Sequence, residues 1–350
     1  MMPREQTILL AEATRAAIDA ALVSSASDEW RPHLGASLLG RPCAREVWYR
    51  FRWCVGGVRD PRILRLFARG QREEAVVADM LRAAGIRVVT TDPATGRQYS
   101  FADGHIGGSI DGAVKGVPEA PKEWHVLEVK THSAKSFATL SKGVQAAHPA
   151  HWAQVQVYMH LSGMRWCLYV GACKDDDRLH IERIPYSSED AERLMARGHS
   201  IAREYGTPPP GVSDDPAWYE CAYCAARGLC YETEVPRPSC RTCAHATAEE
   251  DGWTCAYGGA ARPLSAEEQR RGCDKHIYIP ELLARFADVV DASPEEGWVE
   301  YQVTIGAGGM LRNGPGGISS QEIHRCQDKA ALGSLAVQEA RRTFGATIVG

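Results

Sequence analysis

Gly107-Gly-Ser-Ile-Asp111-Gly112 and, after it, Leu127-Glu128-Val129-Lys130-Thr131 decide how this 350-residue chain is read. Both are short segments of strand type, and sixteen residues separate Asp111 from Glu128. Successive strand side chains alternate sides, so Glu128 and Lys130 project to one face while Leu127 and Val129 go to the other. Two carboxylates on adjacent strands can hold a hard divalent cation, and an ammonium beside them can orient a water and screen charge developing on a phosphate. Alone, the Glu-x-Lys triplet carries little weight. About one is expected by chance in a chain of this composition, and a solvated cross-strand ion pair is its ordinary meaning. Only eight of the 40 Lys and Arg residues are lysines, which makes a lysine at this position more informative.

Working outward, residues 61–84 read as an amphipathic helix with Ile63, Phe67, Val77 and Leu81 at helical spacing, ended by Gly85. Glu74 shares that apolar stripe, an awkward place for a carboxylate without a partner. Its rival, Glu73, falls on the stripe of Leu66 and Met80. Residues 87–90, 98–102, 105–114 and 124–131 read as mostly antiparallel strands separated by Gly, Pro and Asp. A helix at 152–161 puts Gln154 and Tyr158 one turn apart on one face. Strands at 166–173 and 179–185 and a charged helix at 188–205 complete an α/β unit, a mixed central sheet flanked by helices.

Gly70-x3-Glu74 in the first core helix, Asp111 in Ile-Asp-Gly, Glu128-Val-Lys130, and Gln154-x3-Tyr158 in the second core helix stand in a telling order. In these residues the chain resembles the PD-(D/E)XK nuclease superfamily, in particular the branch of RecB-type nuclease domains, phage recombination exonucleases and CRISPR-adaptation exonucleases. The resemblance covers residues 37–231. It implies a restriction-endonuclease-like fold in which Asp111, Glu128 and the carbonyl of Val129 hold Mg2+ or Mn2+. Glu74 would add a ligand or a contact behind the ligands, and Lys130 and Gln154, with Tyr158 beside them, would position water and phosphate. The implied activity is metal-dependent DNA exonuclease, in phage-type recombination, repair or end processing. A structure-specific or defence endonuclease on the same core is the rival enzyme, and an inactive metal-stapled DNA-binding module the non-enzyme alternative.

Twelve cysteines without a secretory signal favour metal ligation over disulfides. Cys221-x2-Cys224-x5-Cys230 supplies three thiolates. The resemblance implies that Cys43 joins them to hold a [4Fe-4S] cluster, clasping the two ends of the nuclease unit. Zinc on the same four is the alternative, and Cys54 is a competing ligand whose ordinary role is packing. Cys240-x2-Cys243-x11-Cys255-x17-Cys273 reads as a structural Zn2+ site, with His245 or His276 as substitutes and reduced, metal-free thiols as the alternative. Cys167, Cys173 and Cys326 read as packing residues. His105, His125, His132 and His151, in or beside strands, are left outside the metal shell.

Thr207-Pro-Pro-Pro-Gly211 and Val235-Pro-Arg-Pro238 punctuate the chain. Three units are expected: 1–235, the nuclease with its iron-sulfur clasp; 236–280, a cysteine-rich zinc module; and 281–350, a small α+β unit. The last should hold a helix at 282–290, a strand at 298–305, an Asn313-Gly314 turn and a helix at 320–344, with Gly306-Ala-Gly-Gly309 as a hairpin loop. A net charge of −4 provides no global basic field, so DNA contacts must cluster locally. Arg41, Arg45, Arg50, Arg52, Lys135 and Lys142 are the candidates. An amphipathic helix is expected within residues 1–23, with no membrane span, and the cytoplasm is the expected compartment. Lacking a Gly-x4-Gly-Lys-Ser/Thr loop, the chain would rely on a recombinase, annealing protein or helicase to unwind DNA.

Overall fold

Val126, Leu127, Val129 and their charged neighbours alternate through Ala120–His132, the longest strand and the middle of the molecule's largest sheet. The computed structural model describes residues 11–26, 31–57, 60–250 and 252–349. The sheet has five strands in the order Arg87–Val89, Gly112–Val117, Ala120–His132, Trp166–Cys173, Leu179–Pro185. Ala120–His132 runs parallel to Trp166–Cys173, and the other pairs are antiparallel. A parallel pair needs a crossover, which the helix Pro149–Ser162 supplies.

The period-two alternation divides the apolar residues between two faces. Leu127, Val129, Leu168 and Val170 pack under the helix Pro61–Ala83 through Val77 and Leu81. Val126, Cys167 and Tyr169 face Val155 and Met159 of the crossover helix, with Leu194 and Met195 of Ser188–Arg203 behind. Phe67, expected on the buried stripe, is instead 56% exposed. That half of its helix lies beside the Glu12–Ser25 helix, with Arg65 ion-paired to Asp19, rather than over the sheet.

The single strand expected at 105–114 is two. Ile106–Ser109 joins a small sheet, parallel to Leu34–Gly35 and antiparallel to Ser100–Asp103, and Gly112–Val117 joins the large one. Asp111 therefore sits in the joint between two sheets.

Residues 246–263 form a three-stranded antiparallel sheet, and Ala287–Ser293, Trp298–Val303 and Gly309–Asn313 form an antiparallel meander with residues 306–308 in its second turn. The helix expected at 282–290 is absent: one 3-10 turn at Pro280–Leu282 precedes the strand, since Val289 and Val290 favour extended backbone on an edge. The helix expected at 320–344 is broken into Ser320–Arg325, a 3-10 turn at Lys329–Gly333, and Leu335–Phe344. The buried Lys329 ammonium donates to the carbonyl of Ile323 at 2.8 Å and to that of Cys326, which ends the first helix. Trp253, Tyr278, Phe286 and Tyr301 continue the buried core of the larger sheet through these later segments. Among the described residues no helix is long and apolar enough to cross a membrane.

Candidate active site

Asp111 and the Ala120–His132 strand are joined directly, the Val129 N–H donating to Asp111 Oδ2 at 2.8 Å. One residue to either side of Val129, Glu128 and Lys130 turn to the opposite face, where Lys130 Nζ pairs with Glu128 Oε1. Glu128 is 0% exposed, yet neither of its oxygens accepts a well-directed hydrogen bond among the described residues. The lysine is near enough for an ion pair but poorly aimed for a hydrogen bond. A buried carboxylate left in this state is costly unless a further cation completes it.

Electrostatics tell the same story. Burial pushes Glu128 up to about 7 against the pull of Lys130, with Asp111 and Glu74 adding repulsion. Glu74 is likewise pushed up to about 7, first by burial and then by Asp111. Asp111 is raised by burial, while Lys130 and the Val129 N–H oppose the shift. Burial works against the charge on Lys130, but Glu128 and Asp111 outweigh it and hold the ammonium protonated above the usual lysine range. Three carboxylates thus share one cation. Glu73 takes no part; it lines a separate cavity of about 210 Å3 with Val76, Met80 and Lys174.

The crossover helix closes the site from above. Gln154 Nε2 donates to the Tyr158 hydroxyl at 3.3 Å, and burial, then Glu128, push the Tyr158 phenol up to about 12. The Tyr158 ring rests on Gly108, where an added Cβ would lie 2.8 Å from Cε1. This contact explains the second glycine of Gly107-Gly108. Gly108→Ala should therefore displace the ring and cost about 1–3 kcal/mol of stability, read as a lower denaturant midpoint; an unchanged midpoint would contradict the packing.

The first cysteine group converges. Cys43, Cys221, Cys224 and Cys230 line one cavity of about 220 Å3 with Arg41, Arg45 and Tyr219. Cys43 caps the Ala44–Phe51 helix, its Sγ accepting from Glu46 N–H at 3.5 Å; Cys224 Sγ accepts from Ala226 N–H at 3.4 Å, and Cys221 Sγ from the Tyr231 hydroxyl at 3.2 Å. Cys54 is buried elsewhere, beside Arg52. In the second group, burial and then the neighbouring Cys273 and Cys255 thiols push Cys240 up to about 12. Cys243 reaches about 12 chiefly through burial, with Cys240 and Cys273 contributing. His276 Nδ1 and His245 Nε2 are buried without a hydrogen-bond partner among the described residues. Among the described residues, no group of three or more His, Cys, Asp or Glu side chains is arranged so that it could hold a metal ion.

No family model matches the chain, and no curated protein does either. Solved structures similar to it include the crystal structure of SSO0001, with a TM-score of 0.37 and 16% identity over 62% of this chain and 96% of that one. Another is an alkaline exonuclease, LHK-Exo, from Laribacter hongkongensis, with a TM-score of 0.35 and 16% identity over 53% and 90%. The complex of LHK-Exo with dAMP scores 0.34 at the same identity and coverage. At these scores the likenesses carry no weight for the site, which stands on its own residues.

Of the cations expected to meet DNA, Arg52 is excluded: it is 1% exposed, donates to the Glu204 and Arg241 carbonyls at 2.9 and 3.3 Å, and lies over Trp48 and Trp253. Arg50 pairs with Glu46 at 2.9 Å, and Arg45 donates to the Pro209 carbonyl at 2.9 Å. Lys135 and Lys142 remain exposed near the end of the Glu128 strand. Of the histidines, His125 accepts from Arg183 at 3.2 Å in the sheet. His132 and His151 sit close to Lys130, joined by His148 and Tyr169, which the sequence reading passed over. The His148–His151 spacing, a helical i,i+3 pair, was the available clue.

Proposed function

We propose that the chain is a Mg2+- or Mn2+-dependent deoxyribonuclease that removes nucleotides from DNA ends. The observation that supports it most is Glu128: wholly buried, with two carboxylate oxygens lacking directed partners, beside Asp111, Glu74 and Lys130. The donor set is all oxygen, which suits a hard cation. Asp111, Glu128 and the Val129 carbonyl would hold it, with Glu74 as a further carboxylate. When bound, such an ion lowers the pKa of a water and offsets charge on the phosphate. Lys130 keeps its proton and contributes a fixed positive charge where negative charge develops, and Gln154 and Tyr158 orient the substrate from the crossover helix.

Digestion of linear duplex, single-stranded and closed-circular DNA with each metal tests the reading. Loss of linear DNA with circles intact identifies an exonuclease, and cut circles identify the endonuclease. Intact DNA under all conditions, with Lys130→Ala indistinguishable from wild type, leaves only a DNA-binding module.

Acid pH should weaken metal binding, because protons compete for Glu74 and Glu128, both near 7. Between pH 8 and pH 6 the Mn2+ concentration giving half-maximal cleavage is expected to rise about tenfold or more. The stability sign is opposite without metal. Carboxyls whose folded pKa is raised contribute stability that is full below the unfolded value and lost as pH rises through about 7. Mn2+ should therefore raise the melting temperature more at pH 8 than at pH 5.5; an equal shift at both would count against these carboxylates as ligands.

A [4Fe-4S] cluster at Cys43, Cys221, Cys224 and Cys230 completes the proposal, supported by their shared cavity and the donors aimed at three of the sulfurs. Zn2+ at Cys240, Cys243, Cys255 and Cys273 is supported by the electrostatic contacts of Cys240 with Cys273 and Cys255 and of Cys243 with Cys240 and Cys273. A recombinase, annealing protein or helicase is the proposed protein partner.

A further inference from the structure

The Glu128–Lys130 face does not end at the lysine. His132 follows two residues on and so projects to the same side. The start of the crossover helix brings His148 and His151 over it, with ring centroids 4.8 Å apart for His132–His148, 5.0 Å for His148–His151 and 5.8 Å for His132–His151. Tyr169, in register with Glu128 on the neighbouring strand, places its hydroxyl 2.9 Å from both His132 Nε2 and His151 Nδ1. Ser136 Oγ is 2.9 Å from His132 Nδ1 and 3.5 Å from His148 Nε2, and Thr139 Oγ1 is 3.4 Å from the latter.

Packing accounts for His132, which is 3% exposed and bonded at both nitrogens. It does not account for the other two. His148 and His151 are half-buried, and His148 Nδ1 and His151 Nε2 have no hydrogen-bond partner among the described residues. Charge on His132 or His151 would be opposed by the Lys130 ammonium. Burial, then His148 and Lys130, take His132 down to about 4, and burial, then Lys130 and His148, take His151 to about 3. His148 Nδ1 and His151 Nε2 are left as the two open nitrogens. The helix they head begins with Pro149, and the His148 carbonyl already accepts from the His151 and Trp152 N–H groups at 2.9 and 3.1 Å. Glu182 is already engaged by His180 Nε2 at 3.0 Å and Val144 N–H at 2.9 Å.

We infer that His148 and His151, backed by the buried His132, form a phosphate-binding subsite for the DNA nucleotide adjacent to the one cleaved at Glu128 and Lys130. The subsite rests on the nuclease reading. Imidazole N–H groups and the Ser136 hydroxyl are donors of the kind that hold a backbone phosphate in place without reading its base. Running one strand step beyond Lys130, the subsite would set the register of the substrate.

The test is steady-state cleavage of a short fluorescent duplex with Mn2+ by the full-length protein and by His148→Ala and His151→Ala, the two exposed enough to change without emptying the core. Each should raise KM about tenfold, leave kcat within about twofold, and weaken competitive inhibition by inorganic phosphate. An unchanged KM and unchanged phosphate inhibition overturn the subsite while leaving the nuclease standing. A fall in kcat at constant KM also overturns it, because the cluster would then serve only to orient Lys130. Failure of the wild type to cleave any DNA removes the nuclease reading, and the subsite with it.

Discussion

Glu128→Gln is expected to lower metal-dependent DNA cleavage by about a thousandfold while leaving the metal-free melting temperature unchanged or higher. The two halves of this result have one cause. Glu128 is 0% exposed and its oxygens lack directed donors, so the ionised carboxylate is held at a cost that only the nearby lysine offsets. Glutamine has the same shape and no charge, which removes the repulsion from Asp111 and Glu74 while Lys130 keeps Asp111 as a partner. Loss of one preorganised electrostatic group at a reacting centre typically costs about 10^2–10^3 in rate, and loss of a metal ligand adds to it. Activity and stability moving in opposite directions is the mark of a site strained for function. Retention of more than about a tenth of the cleavage rate would sink the proposed role, as would a metal-free melting temperature lowered by several degrees.

The second large effect is expected from Cys43→Ser. Cys43 heads the Ala44–Phe51 helix, while Cys221, Cys224 and Cys230 come from the far end of the unit. Closing a loop of about 180 residues is worth roughly 5 kcal/mol in chain entropy, and the bound cluster is the proposed closure. The variant should lose its iron and acid-labile sulfide and unfold at a clearly lower denaturant concentration. Per folded molecule, its Mn2+-dependent cleavage should survive, because the cysteines lie apart from Glu128 and Lys130. A variant with full iron content and an unaltered midpoint would remove Cys43 from the ligand set; zinc in place of iron would keep the clasp and change its chemistry.

Much of the arrangement was legible from local period. Alternation placed Glu128 and Lys130 opposite Leu127 and Val129, and the two sets do face different layers of helices. Helical spacing separated Glu74 from Glu73, and only Glu74 feels Asp111 and Lys130. Local period failed where the deciding contact was remote. The strand expected through Asp111 divides because Leu34–Gly35 pairs with its first half. Arg52 reads as a surface cation beside three other arginines, yet it is sealed against Trp253 and the Arg241 backbone. Residues 282–290 fit a helix by pattern, and the preference of Val289 and Val290 for extended backbone prevails where the Trp298–Val303 strand pairs with theirs.

The amino-acid sequence by itself determined which side chains share a face, since that follows from the two- and 3.6-residue periods of the backbone. Which of those side chains lose water was decided only by the tertiary structure. Glu128 is a carboxylate in either description. It becomes a buried group pushed up to about 7, its two oxygens short of directed hydrogen-bond donors, only when Asp111, Glu74 and Tyr158 arrive from other elements. Desolvation and charge–charge energy depend on distance in space rather than along the chain. The same reason gathers His132, His148, His151 and Tyr169 from two strands and a helix into one cluster that no single stretch of sequence contains.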